Sequence, residues 1–248
     1  MKKKIISKKE FIRLNEKAYE KMYRNKNLQK KANEVLIEAD KHRWAHQSSW
    51  MGEPILNLQQ DILAIENIFW NTRPENIIEV GVAWGGGLLF GASLLQLFGG
   101  KKAVGIDIFI PPDLRKRLMN KGKISKKISL IQGKSTHDDT IAKLKRIIGK
   151  SKKNLIILDS AHSHQHVLKE LEIYSDFVGK GNYIIVGDTI VEDVPKQKHR
   201  PRPWGPGNSP KTAMRHFLKT NDRFIIDRSY DKKLLFSCHP EGYLRAIK

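Results

Sequence analysis

Four glycines fall within the seven residues Gly81–Gly87, between the apolar run Ile77–Val80 and a helical pattern over Gly87–Leu97. Glycine at such a turn frees the backbone to adopt positive φ and leaves room for a ligand to approach the main chain. An apolar strand, a glycine-rich turn and an apolar helix together open a βαβ unit. The alternation continues, with strands expected at Ala103–Ile108, Ile128–Ile131, Leu155–Leu158 and Tyr183–Val186. Helices are expected between them at Pro112–Asn120, Asp138–Ile148 and Gln165–Val178, and another near Thr212–Leu218. Two last strands, Phe224–Asp227 and Leu234–Ser237, should pair through a short turn. The fold class is α/β: a doubly wound, Rossmann-like sheet, mostly parallel, with a C-terminal antiparallel hairpin.

Ahead of the sheet, residues 8–46 read as helix. Phe11, Leu14, Ala18 and Met22 recur at helical spacing, and Ala32, Val35 and Leu36 resume it after a break near Asn25–Asn27. Trp44–Pro54 reads as a loop, and Asp61–Trp70 as one more apolar-faced helix. Residues 1–56 are therefore expected to form a helical appendage, and residues 57–248 the sheet-bearing domain. The appendage suits a cover over the domain or a contact between copies, and a homo-oligomer is expected.

With 46 Lys and Arg against 26 Asp and Glu, the formal net charge of +20 favours acidic partners. Basic clusters stand at 2–9, 115–127 and 143–153, the last two on expected solvent-facing helices and loops. Aromatics are not interleaved with them, which argues against nucleic acid as a partner. The basic N-terminus suits a peripheral contact with an anionic membrane surface. Ser7-Lys8-Lys9-Glu10 interrupts any apolar core of a secretory leader, and Cys238 has no cysteine to pair with. A cytoplasmic protein without a transmembrane segment is expected.

Ligands of open α/β sheets sit beyond the carboxyl ends of the strands. Gly81-x-Ala83-x-x-Gly86 satisfies a relaxed dinucleotide fingerprint, so NAD stays open on that pattern alone. Glu79, two positions before the first glycine, favours S-adenosylmethionine, whose charged methionine part would lie near it, with Gly81 and Gly85 shaping the turn. Asp107, ending Val104-Gly105-Ile106-Asp107, is placed to accept from ribose hydroxyls. Ser135, in Gln132-Gly133-Lys134-Ser135, would border the adenine.

Asp159 and Asp188 fall at the tips of the fourth and fifth strands and point into one crevice, with Asp159 also bordering the cofactor. Hard oxygen ligands there suit Mg²⁺, which would lower the pKa of an acceptor hydroxyl. His162 is a candidate general base. His162-x-His164-x-His166 also raises a zinc hydrolase site, but Gln165 stands where that pattern wants aspartate. Helix positions two apart also diverge by about 200°. The loop Arg200–Pro210 reads as a lid, with Trp204 offering a face for a sugar ring.

From about Ser49 to Ala246 the chain resembles the cephalosporin hydroxylase/rhamnosyl O-methyltransferase family. The resemblance rests on ordered motifs: Trp50-Met51-Gly52-x-Pro54, Ile78-Glu79-Val80-Gly81 with Gly85-Gly86, and Gly105-Ile106-Asp107-Ile108. Leu158-Asp159-Ser160, His162-Ser163, His166-Val167, Asp188-Thr189, Pro203-Trp204-Gly205-Pro206-Gly207-Asn208 and Ala213 complete it. It implies a class I methyltransferase fold and Mg²⁺-dependent methyl transfer from S-adenosylmethionine to hydroxyls of sugars in glycolipids or of secondary metabolites. It also implies that Gly81, Gly85 and Asp107 contact the cofactor and that Asp159 and Asp188 bind the metal. Two departures stand out: Gly187 occupies a position usually held by glutamate, and His164 one usually held by tyrosine. Water or Glu192 are the candidate replacements for the missing ligand. The expected activity is O-methylation of a hydroxyl, on a sugar of a polysaccharide, glycolipid or secondary metabolite. The alternatives are an RNA methyltransferase, suggested by the charge, and a cofactor-binding scaffold weakened at Gly187.

Overall fold

The computed structural model describes residues 6–248. Lys2, Lys3 and Lys4, which begin the first basic cluster, lie outside the described residues. Two helices come first, α1 (Lys8–Arg24) and α2 (Lys26–Asp40). The single residue between them, Asn25, ends one and starts the other, its side chain accepting from the Leu28 N–H at 3.0 Å. The helical break expected from sequence is thus a shared cap.

The segment read as a loop is instead a 3₁₀ turn, Trp44–His46, followed by a hairpin of β1 (Ser48–Trp50) and β2 (Glu53–Ile55). Met51 (φ 48°) and Gly52 (φ 87°) form its two-residue turn, the positive-φ pair that matches strand twist. Such short strands carry too little periodicity to stand out in sequence. The hairpin docks on the sheet domain: Trp50 Nε1 donates to Ser93 Oγ at 3.0 Å and its ring meets Phe90 edge-on at 5.1 Å. Buried Glu53 pairs with Arg117 at 3.0 Å and Lys121 at 2.9 Å. Part of the basic cluster at 115–127, expected to face solvent, therefore clamps this hairpin.

The remaining elements are α3 (Gln59–Thr72), β3 (Asn76–Val80), α4 (Gly86–Phe98), β4 (Lys102–Asp107), α5 (Pro112–Met119), β5 (Ile128–Gln132), α6 (Asp138–Ile148), β6 (Asn154–Leu158), α7 (His164–Tyr174), β7 (Tyr183–Val186), α8 (Pro210–Thr220), β8 (Phe224–Ile226), α9 (Arg228–Lys233) and β9 (Tyr243–Ala246). The seven-stranded sheet runs β5-β4-β3-β6-β7-β9-β8, parallel through β7 and antiparallel at β9 and β8. Successive strand residues bury on opposite faces, Ile77 with α3, α4 and α5, and Ile78 with α6, α7 and α8. The sheet is doubly wound, as the alternation predicts. The order reverses between β3 and β6, which opens a crevice at their carboxyl ends.

The terminal antiparallel pair exists, but its second strand is Tyr243–Ala246, and Leu234–Ser237 is not a strand. Asp61, fully buried at the start of α3, captures Ser237 Oγ (2.6 Å), Cys238 N (2.8 Å) and Tyr243 OH (2.9 Å). Those bonds pull 237–238 out of the sheet and seat β9 between β7 and β8, with α9 in place of a tight turn. No helix among the described residues is long and apolar enough to cross a membrane.

Candidate active site

The strand tips form one continuous rank because the ladder bonds continue past the strands. Gly81 N donates to Ile106 O, Asp159 N to Val80 O and Gly187 N to Leu158 O, each at 2.8 Å. Gly81 (φ 96°) needs its glycine on two counts, since a Cβ there would also stand 2.2 Å from the Asp159 carbonyl oxygen. A Cβ on Gly87 would meet Glu79 Oε1 at 2.2 Å, so that glycine makes room for the carboxylate. Above this rank lies a cavity of about 500 Å³, in the range of small-molecule sites. Its floor is Glu79, Asp159 and Asp188. Leu36, Ile37 and Asp40 of α2 form one wall, and the loop from Val194 to Pro206 covers it.

Asp159, His162 and Asp188 each bring one donor atom within 4.8 Å of the others, a grouping that fits a metal ion. His162 Nε2 lies 3.6 Å from Asp188 Oδ2, and the His162 ring meets Trp204 edge-on at 5.2 Å. Asp188 sits in the left-handed region (φ 49°) and its N–H donates to Nδ1 of fully buried His239 at 3.1 Å. That strained conformation, tolerated by aspartate, turns its carboxylate toward the cavity.

Gly187 does more than delete a ligand. A Cβ there would stand 2.2 Å from Asp159 Oδ1, so the Asp159 carboxylate occupies the space that a side chain at 187 would take. Glu192, considered as a replacement ligand, is outside the group: it accepts from Gly207 N at 2.9 Å and Ser209 Oγ at 2.7 Å, bracing the lid loop.

Buried carboxylates dominate the electrostatics of the floor. Burial pushes the Glu79 carboxyl well above the usual range, and Asp159 and Asp107 add to the shift. Burial also raises Asp159, reinforced by Asp188, Glu170 and Asp61. Burial opposes ionisation of Asp188 as well, but His162, His239, Arg202 and Arg200 outweigh it and hold the group low. Burial lowers His162, against the pull of Asp188, so its imidazole is kept neutral. Glu79 Oε2 is enclosed with no hydrogen-bond partner.

The remaining predicted site residues lie apart from the cavity wall. Asp107 holds the glycine turn, its Oδ2 accepting from Val82 N (2.8 Å) and Ala83 N (3.3 Å). Gly85 (φ 82°) caps α4. Ser135 is buried, its hydroxyl 3.3 Å from His166 Nε2. The three histidines diverge where α7 starts: His164 goes to Thr212 of α8 at 2.8 Å, and His166 to buried Glu170 at 2.9 Å. Sequence reasoning missed His239, Asp40 and the pairing of Arg200 with Asp40 (2.9 Å) and His46 (3.2 Å). Those residues are separated by long stretches of chain, and no local spacing joins them.

A family model described as Rhamnosyl O-methyltransferase/CmcI matches residues 42–247. The Rhamnosyl O-methyltransferase of Mycobacterium tuberculosis is 23% identical over 220 residues, covering 84% of each chain. That of Mycobacterium leprae is 25% identical over 166 residues, 64% of this chain and 70% of its own. Among solved structures, a CmcI described with Mg and SAM aligns with a TM-score of 0.56 at 19% identity, covering 81% of this chain and 77% of that one. An O-methyltransferase from Bacillus cereus, in complex with SAH, aligns at 0.50 and 12% identity over 90% and 92% of the two chains.

Proposed function

The chain belongs to the rhamnosyl O-methyltransferase/CmcI family, and from that premise we propose that it transfers the methyl group of S-adenosylmethionine to a sugar hydroxyl. The observation that carries the cofactor assignment is Glu79 Oε2, buried and unpartnered beside the glycine turn. A carboxylate left in that state is stabilised by a cation, and the cofactor brings an ammonium and a sulfonium. Gly81, Gly85 and Asp107 shape and hold the turn around it, and Ser135 supports the strand-tip segment from behind. NAD fits less well, since it offers no cation to the carboxylates of the floor other than its nicotinamide ring.

Asp159, His162 and Asp188 line the same cavity, Asp159 following the strand that pairs with the one carrying Glu79. Asp159 and Asp188 would hold a divalent cation that keeps several waters, with the His162 imidazole beside them and its lone pair left for a proton. Such an ion, when bound, would acidify the acceptor hydroxyl. His162, kept neutral by burial, is the base that takes the hydroxyl proton, and Asp188 stabilises the imidazolium that results. Trp204 presents its ring beside His162, where it would flank the sugar. The described part of the N-terminal segment, residues 6–56, acts as a cover over the domain formed by residues 57–248, since α2 walls the cavity and Asp40 ties down the lid through Arg200. The protein's main contribution is to hold nucleophile and methyl donor in line.

The test is calorimetric titration with S-adenosylhomocysteine, with and without Mg²⁺, and with NAD as a control. Binding of S-adenosylhomocysteine that weakens in Glu79→Gln, with NAD silent, is expected. Absence of S-adenosylhomocysteine binding under both conditions would overturn the assignment.

A further inference from the structure

The lid carries a set of positive charges, and their influence on Asp188 does not account for all of them. Between Val194 and Pro206 there are Lys196, Lys198, Arg200 and Arg202, and no acidic residue; all four line the cavity. Arg200 is partly neutralised by Asp40 at 2.9 Å. Arg202 has no ion pair or hydrogen bond among the described residues, although it is half-buried. Prolines on both sides restrict its backbone, and the residue lines the cavity. Leaving a half-buried guanidinium unpaired is costly.

A second donor points the same way. Trp204 Nε1 is buried on the same loop with no partner. Two unmet donors two residues apart, an indole N–H and a guanidinium, match the oxygens of a carboxylate or phosphate. The Trp204 ring also meets His162 edge-on, so a group held there stands next to His162.

We propose that the acceptor sugar carries an anionic group, a carboxylate or a phosphate, and that Arg202 with Trp204 Nε1 seats it. This rests on the methyltransferase reading and narrows its substrate class to acidic or phosphorylated saccharides. Arg202 acts as a specificity determinant, by bidentate contact with the anion. The bracing of the lid by Glu192 and the latch from Asp40 to Arg200 keep it in place.

The experiment is calorimetric binding of glucose, glucuronate and glucose 1-phosphate to the protein saturated with S-adenosylhomocysteine, for wild type, Arg202→Gln and Arg202→Lys. Lys143→Gln, an exposed site on α6, controls for general charge. Glucuronate or glucose 1-phosphate should bind about ten-fold or more tighter than glucose. Arg202→Gln should remove that preference, Arg202→Lys should keep part of it, and Lys143→Gln should leave it intact. Whether glucuronate or the phosphate binds better identifies the anion. Equal binding of glucose, a preference that survives Arg202→Gln, or no binding by either anionic sugar would overturn the proposal. So would a loss of S-adenosylhomocysteine affinity in Arg202→Gln, which would assign the arginine to the cofactor. Failure of wild type to bind S-adenosylhomocysteine at all is a separate outcome, and it sinks the methyltransferase reading instead.

Discussion

Replacing Gly187 by alanine should abolish most turnover while sparing the cofactor site, because the new methyl lands on Asp159. Its Cβ would stand 2.2 Å from Asp159 Oδ1, 2.7 Å from Cγ and 2.9 Å from the Leu158 carbonyl oxygen. Ordinary contact begins near 3.4 Å, so the carboxylate oxygen has to retreat by about 1.2 Å. The Leu158 carbonyl cannot retreat as easily, being bonded to Gly187 N at 2.8 Å. Misplacement of a catalytic group by about 1 Å costs on the order of 100-fold in rate. Overpacking of this kind costs about 1–3 kcal/mol of stability, or a drop of several degrees in Tm for a chain of this length. The assay is release of S-adenosylhomocysteine in the presence of an acceptor, with calorimetric titration of S-adenosylhomocysteine and a thermal melt on the same preparation. Gly187→Glu, which introduces the acid that the family resemblance leads one to expect there, should fail for the same reason. Wild-type turnover in Gly187→Ala with a normal melt would refute the reasoning, since it would mean that the position of Asp159 does not matter to the reaction.

Asp107→Ala frees the Val82 and Ala83 amides of the glycine turn and should weaken S-adenosylhomocysteine binding by about 10–100-fold; unchanged affinity would show that the turn holds itself. Asp61→Ala strands three donors, the half-buried Ser237 Oγ and the buried Cys238 N and Tyr243 OH. It should cost about 3 kcal/mol or more in urea unfolding, and a loss below about 1 kcal/mol would contradict the anchoring role. The hydrogen bond to Glu170 raises the pKa of His166, against the opposing effect of burial. Its contribution to stability is therefore full below the ordinary histidine value of about 6.5 and fades as pH rises through the higher folded-state value. The melting temperature of wild type should fall across that interval more steeply than that of His166→Gln, and matching slopes would remove the ion pair from the account.

Much of the frame was legible along the chain because it rests on local periodicity. Apolar strands alternating with amphipathic helices fix a doubly wound sheet, and the topology rule for such sheets then places Glu79, Asp159 and Asp188 at one edge. The cap at Asn25 and the turn at Gly81–Gly87 also follow from residues close in sequence. Other features depended on contacts between distant segments. Leu234–Ser237 has the apolar content of a strand, but Asp61, 176 residues earlier, takes Ser237 as a hydrogen-bond partner. Local propensity has no term for that competition. The hairpin at Ser48–Ile55 is held by Ser93, Arg117 and Lys121, and neither β-strand would be stable alone.

The sequence by itself determined which chemistry the strand tips can carry, since carboxylates and an imidazole at those positions need no tertiary information to be noticed. It also showed that Gly187 lacks a side chain. Only the tertiary structure decided what that lack does, namely that Asp159 leans into the vacant space. It also decided that Glu192 is committed to the lid, that Arg200 is neutralised by Asp40, and that Arg202 is left without a partner. The physical reason is that periodicity and spacing report forces acting along a few turns of chain. The pairing or orphaning of a charge depends on which distant groups share its cavity once water has been excluded.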